Sequence, residues 1–516
     1  MIKRLFYILA IVLFASVGCD AFDINATDCD DADATTWCIQ TDDTTFDGDT
    51  DCFTAGPTPG ACAGGDTLYL EGEERTESII FQDLIGAEGN PITILNDPTN
   101  RVIFNDTSTP SGGAIIRFDN CQYVDLLGNN KSGHSWSAEC QADSCYGIKI
   151  IKSDSTGVAS VLFQGDNTGS DYVTVGYIEI SQTNQTSDPW DDGFKIGVAA
   201  DGVVTHTGIE LHHNWIHDVQ YTCIYGGSNE AGSTAPYVAD ILLHHNLCED
   251  AGSYGMNVKG VLAGSTGNAI YNNTIRNTGA NCLDPTANCY EDSVSDFPRW
   301  WRFRAGIAIV TEWNTGSGVN VYENKIYDAQ GMGISVREGP SNIYNNIITG
   351  AGSACTYENT ISLGVHFVEE CSGINILEDT SPSGAGLQIY DNKIVESYQW
   401  GIYGRASETP LVSINRNIIT ENVKGTPGYS IAATSLTVGA NTADCGDAWG
   451  TLTDCPNVYD ADTDSICFTT WSDDSDYSND DFTLCCDYDY TSIAANACGA
   501  TTTPVSGVKF SGAEYN

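Results

Sequence analysis

Seven segments of this chain carry an asparagine at one fixed place: IELHHNWI, ILLHHNLC, NAIYNNTI, VNVYENKI, SNIYNNII, LQIYDNKI and VSINRNII. The aligned residues are Asn214, Asn246, Asn273, Asn324, Asn346, Asn392 and Asn417, spaced by 32, 27, 51, 22, 46 and 25 residues. The flanking residues alternate apolar and polar with period two, which marks short strands. Glycine-led runs of the same period lie between them, as in Gly333-Ile334-Ser335-Val336-Arg337, and no 3.6-residue pattern intervenes. Short strands recurring at this interval satisfy their backbone only by stacking coil upon coil; the longer spacings hold insertions within single coils. The reading is an all-β, single-stranded parallel β-helix with strands ~4.8 Å apart. One asparagine per coil then forms an inward amide ladder that serves the turn backbone.

We call the asparagine-bearing segments A runs and the glycine-led ones B runs. The B runs are 147–151, 193–197, 223–227, 255–259, 306–310, 333–337, 364–368 and 401–405. Their second and fourth positions are mostly apolar and face the core, so the third and fifth face outward.

The chain has 516 residues, 21 Lys+Arg against 69 Asp+Glu, and a formal charge of −48. That balance argues against nucleic acid or an anionic membrane as partner. Twenty cysteines without a CxxC metal pattern imply disulfides and an oxidising compartment; setting Cys19 aside leaves an odd thiol. Residues 1–19 read as an export signal too short to span a bilayer. Ser16-Val17-Gly18-Cys19 resembles a bacterial lipobox, which implies lipidation of Cys19 and an outer-membrane anchor, with ordinary cleavage as the alternative. Residues 20–63 form a Cys/Asp-rich leader and cap, 64–433 the helix, and 434–516 a Cys-rich C-terminal cap or appended domain. A monomer is expected.

Gly65-Asp66-Thr67 and Asn90-Pro91-Ile92-Thr93-Ile94, taken with the repeats, resemble the opening coils of right-handed parallel β-helix proteins of the pectin-lyase-like superfamily. The resemblance covers roughly residues 64–433. It implies right-handed winding and points toward polysaccharide lyases of the alginate, chondroitin and pectate types.

Five of the scarce cations fall on the outward B columns: Lys149, Lys195, Lys259, Arg337 and Arg405. A positive stripe on a negative molecule suits a long anionic polysaccharide. Lys259 and Arg337 stand two coils apart, ~10 Å by strand stacking. β-Elimination from a uronate needs a base for the proton α to the carboxylate and a cation for the enolate. Lys259 is the candidate base and Arg337 the carboxylate clamp. Met256-Asn257-Val258-Lys259-Gly260 is similar to the Lys-bearing coil of alginate/chondroitin-type lyases, and Ser335-Val336-Arg337-Glu338-Gly339 to their Arg-bearing coil. The chain departs from that pattern at Glu338, where the family commonly has His, and at the intervening Val310.

Lys195, Asn257, His366 and Arg405 are expected to contact substrate. So is an insertion carrying Arg299, Trp300, Trp301, Arg302 and Arg304, whose rings stack on sugars and whose guanidinium groups fork onto carboxylates. Asp191, Asp192 and Glu312 are candidates for a Ca2+ ion. The spacing of His212-His213 and His244-His245 could suit a metal, but adjacent strand side chains point to opposite faces, so each column offers only two ligands and the pairs are read as structural stacking. Two other functions stay open: hydrolysis by paired carboxylates, and a non-catalytic surface helix that binds glycans.

Overall fold

The computed structural model describes most of residues 36–433, apart from insertions between coils (the longest are 130–144, 280–304 and 354–371), together with four short strands beyond. Among the described residues there is no α-helix. Three long parallel sheets of 13, 12 and 12 strands run the length of the molecule, making it the expected parallel β-helix. Neighbours in each sheet come from successive coils, so every ladder is completed by the coils on either side.

One coil shows the plan. Met332–Arg337 lies in sheet B, Asn342–Tyr344 in sheet A and Ile347–Thr349 in sheet C. An A run is therefore two strands with a corner between them. The corner is made by the residue before the ladder asparagine, which takes a left-handed conformation: φ is 56° at His213, 55° at His245, 54° at Asn272, 58° at Glu323, 56° at Asn345 and 58° at Asp391. Such a conformation is costly for an L-residue and persists where neighbours over-determine it.

The asparagines do that. Asn324 Nδ2 donates to Ile270 O (2.9 Å) and to Asn346 Oδ1 (3.0 Å), while its Oδ1 accepts from the Asn273 backbone N–H (3.1 Å) and side chain (2.9 Å). The chain of amides runs unbroken from Asn214 to Asn417. A second corner, between sheets C and B, uses Asp218, Asp250, Asn277, Asp328 and Glu396 at positive φ.

The glycines that lead the B runs sit where a side chain has no room. A Cβ on Gly333 would lie 2.4 Å from Ile348 Cγ2 and 2.5 Å from Gly373 O. The core is columns of like residues, among them Leu211, Leu243, Ile270, Val321, Ile343 and Ile389, all fully buried. Phe81, Phe118 and Phe163 stack at 5.4 and 5.3 Å.

Disulfides join Cys52 to Cys62 at the N-terminal end of the helix and Cys223 to Cys248 between coils. Cys121 is free and fully buried, with its Sγ against Phe81 O (3.3 Å), and burial pushes its thiol up to about 12. It supplies an unpaired thiol of the kind the odd count requires. A thiolate is the reactive form, so a maleimide should leave the Cys121 peptide unlabelled in the folded protein and label it after denaturation. Labelling in the fold, located by peptide mapping, would contradict this burial.

Two sequence assignments need correction. Ile148–Lys152, read as part of a B run, pairs with Val102–Asp106 and Ile178–Gln182 in sheet C; the B strand of that coil is Ala159–Gln164. Period-two alternation does not say which of three sheets a strand joins. The A runs, likewise, are not single strands.

Lys149 accordingly leaves the B column and serves a buried carboxylate. Glu179 is held by Lys149 (2.6 Å), by Arg101 and by His217 (3.4 Å). Burial alone would raise the Glu179 carboxyl, but hydrogen bonds from His217 and Lys149 and the Arg101 charge outweigh it and hold it at about 2. A depressed carboxyl stabilises the fold above its unfolded value of 4.5 and loses that contribution as pH falls through about 2. Discounted for water at its rim, the contribution is about 2 kcal/mol. Glu179→Gln should therefore destabilise the protein at neutral pH and converge with wild type in acid. Equal destabilisation at both pH values, measured by denaturant melts, would point to a packing effect instead.

Candidate functional site

The outer face of sheet B carries the chain's candidate site. Strand register places Lys195, Tyr225, Asn257, Ala308, Ser335, Asn375 and Tyr403 in one column. Lys259, Val310 and Arg337 form the next. Lys259 and Arg337 thus share a column two coils apart, as the repeat implies. In the Lys259 strand, Met256 and Val258 fill the core, which turns Asn257 and Lys259 outward.

Tyr225 is the centre of this face. The Lys195 Nζ lies 5.1 Å and the Lys259 Nζ 5.4 Å from its ring centroid, within cation–π range. Burial pushes its phenol well above the usual range, with Tyr221 and Asp192 adding to the effect. Sequence reasoning placed Tyr225 in the column without assigning it a role. What it lacked was the knowledge that the lysines on either side lean over one ring.

The face is also drier than an open groove. Tyr225 is 5% exposed and Asn257 0%, and Ser335 and Asn375 are buried as well. Neither amide atom of the Asn257 side chain has a hydrogen-bond partner. A buried amide left unsatisfied costs about 1–3 kcal/mol for each group. Asn257 lies on the strand that carries Lys259, Tyr254–Lys259.

Asp192 and Asp191 enter here in a different part from the one expected. Asp192 is buried and contacts Lys195 at 3.2 Å. Burial raises its carboxyl to about 7, against the lowering effect of Lys195. Asp191 is paired with the fully buried Lys152. Each carboxylate thus faces an ammonium group, and we assign calcium no step. Asp47, Asp49 and Asp83 do bring three carboxylates together, at the N-terminal end of the helix.

The side chain of Arg337 lies outside the described residues, although its strand is within them. Also outside are Arg299, Trp300, Trp301, Arg302, Arg304, Glu312, His366 and Arg405, and the leader with Cys19. The column position expected for His366 is taken by Asn375 of strand Ser372–Ile376. Arg117 belongs to the same column, three coils before Tyr225, and pairs with Asp119.

No protein-family profile and no curated protein matches the chain. Solved structures do. An alginate lyase from Paenibacillus sp. str. FPU-7 is 13% identical, covering 74% of this chain and 93% of its own, with a TM-score of 0.32. The GH136 lacto-N-biosidase from Eubacterium ramulus is 11% identical over 80% of this chain and 68% of its own, with a TM-score of 0.42. The periplasmic alginate epimerase AlgG is 10% identical over 74% and 77%, with a TM-score of 0.36. At these TM-scores the likeness carries no argument, and the chemistry must be argued from this chain's own side chains.

Proposed function

We propose that this protein cleaves an anionic, uronate-containing polysaccharide by β-elimination on the outer face of sheet B. The observation that carries the reading is the convergence of Lys195 and Lys259 on Tyr225, with Arg337 in register, on a chain of formal charge −48. Cations concentrated on one dry face of an acidic molecule attract an anionic polymer there and keep it there.

In this mechanism Arg337 neutralises the uronate carboxylate, which acidifies the C5 proton. Lys259, which enters this step after giving its own proton to solvent, takes the C5 proton. The electron pair left behind forms the C4=C5 double bond as the C4–O bond breaks, and the departing oxygen is protonated. Asn257 hydrogen-bonds the bound sugar, and Lys195 holds Asp192 and adds positive potential. The disulfides support a location outside the cytosol. A lipid on Cys19 is the membrane attachment, if the leader is processed as a lipoprotein.

The test is ultraviolet absorbance of the unsaturated product. Residues 20–516 are incubated with alginate, pectate or chondroitin sulfate, with calcium or with chelator. A rise in absorbance supports the reading. Reducing ends released without absorbance would establish hydrolysis, and saturable binding without cleavage would establish a glycan-binding helix; either would overturn it.

A further inference from the structure

Four of the chain's eight histidines stand together on the outer side of sheet A, away from the proposed site on sheet B. Because His213 and His245 are left-handed, each vicinal pair does not diverge as adjacent strand residues do. The rings of a pair meet instead: His212 Nδ1 lies 2.8 Å from His213 Nδ1, and His244 Nδ1 lies 2.8 Å from His245 Nδ1. The expectation that neighbouring side chains face opposite ways fails at this corner, and with it the reason for reading the pairs as stacking alone.

The rings are firmly placed. His212 stacks on His244 at 5.4 Å and His213 on His245 at 4.9 Å. Tyr177 covers His213 from one side at 5.0 Å, and Tyr271 covers His244 from the other at 4.7 Å. A Cβ on Gly176 would lie 2.4 Å from His212 Cε1, so glycine at that position makes room for the ring.

A second observation fixes the chemistry. Glu210 Oε1 lies 2.8 Å from His244 Nε2. A carboxylate only accepts, so Nε2 carries the proton and Nδ1 accepts from His245 Nδ1–H; an ion bound by both Nδ1 atoms takes the place of that proton, which moves to His245 Nε2. A carboxylate bonded to the far nitrogen of an imidazole is the arrangement that orients metal-ligating histidines. At a metal–nitrogen distance of ~2.0 Å, two cis ligands of a tetragonal ion lie ~2.9 Å apart, while a tetrahedral ion needs ~3.3 Å.

We propose that the vicinal pairs His244–His245 and His212–His213 are two chelating sites for a divalent late transition-metal ion of tetragonal preference, Cu2+ above Ni2+ and Zn2+. Each ion takes two Nδ1 atoms from the protein and completes its sphere with water. The proposal is independent of the polysaccharide reading.

The experiment is a Cu2+ titration of the untagged full chain in excess Ca2+, which occupies the many carboxylates without competing for imidazole nitrogen. The expected result is two ions per chain, with electron paramagnetic resonance showing hyperfine coupling to two nitrogens at the first equivalent and dipolar broadening at the second, because the stacked rings lie 5.4 and 4.9 Å apart. His244→Gln with His245→Gln removes one ion, and His212→Gln with His213→Gln the other. Glu210→Gln weakens the first site 10–100-fold. Coupling to oxygen alone, or two ions retained when all four histidines are replaced, would overturn the proposal. The wild-type spectrum decides even where a variant fails to fold.

Discussion

Asn324→Ala is expected to lower the unfolding free energy by about 4 kcal/mol or more. Four hydrogen bonds disappear: two donated by Nδ2, to Ile270 O and Asn346 Oδ1, and two accepted from Asn273. At about 1 kcal/mol each their net loss is already large, and the Asn273 donors left buried without water add about 1–3 kcal/mol apiece. Asn342→Ala is the control. Its amide makes one bond, to Asn320 Oδ1 at 2.8 Å on the half-buried outer face, and should cost under about 1 kcal/mol. Asn324→Asp separates shape from donation. It retains the acceptor but sets a second oxygen against Ile270 O and Asn346 Oδ1, so its damage should ease in acid, when the carboxyl is protonated. Because a solenoid can open locally, hydrogen exchange at the Asn273 and Asn324 amides is a more direct readout than a global melt. If Asn324→Ala is no worse than Asn342→Ala, the ladder is not what closes the corners.

That ladder was the most legible part of the chain, since all seven aligned asparagines stack where the repeat put them. The glycine-led runs were legible for a related reason: Gly333 and its equivalents sit where a Cβ collides with an isoleucine of sheet C and a carbonyl of the next coil. The corner itself was not. His213, Asn272, Glu323 and Asp391 share a conformation, not a residue type, so no pattern announces it. Lys149 was misplaced because its run has the same alternation as a true B run.

The shared column of Lys259 and Arg337 was legible in the repeat, because their strands keep the period across Val310. Tyr225 and Asp192 needed three dimensions. Their significance lies in what leans over or against them, across coils of unequal length. A usable signal did exist for Asp192, which stands three residues from Lys195 at the head of the same strand.

Lys259→Ala should reduce kcat/KM for uronate cleavage by about 10²–10⁴-fold, the usual range for loss of a positioned base. Lys259→Arg separates charge from proton transfer. It keeps a cation beside Tyr225, but guanidinium does not deprotonate, so activity should stay low while polymer binding survives. Arg337→Lys should keep the positive charge, lose bidentate contact, and fall less, with KM rising more than kcat drops. Arg337→Ala removes enolate stabilisation as well and should lower kcat by about 10²-fold or more. The contrast matters more than either loss. A base acts in the proton-transfer step, so Lys259→Arg, which keeps the charge, should lower kcat and leave KM near wild type. A clamp holds the carboxylate in the bound substrate and in the enolate, so Arg337 variants should alter both constants. If Lys259→Arg instead restores turnover, Lys259 contributes only charge. The proton must then leave through another group on this face, for which Tyr225→Phe is the next substitution to make.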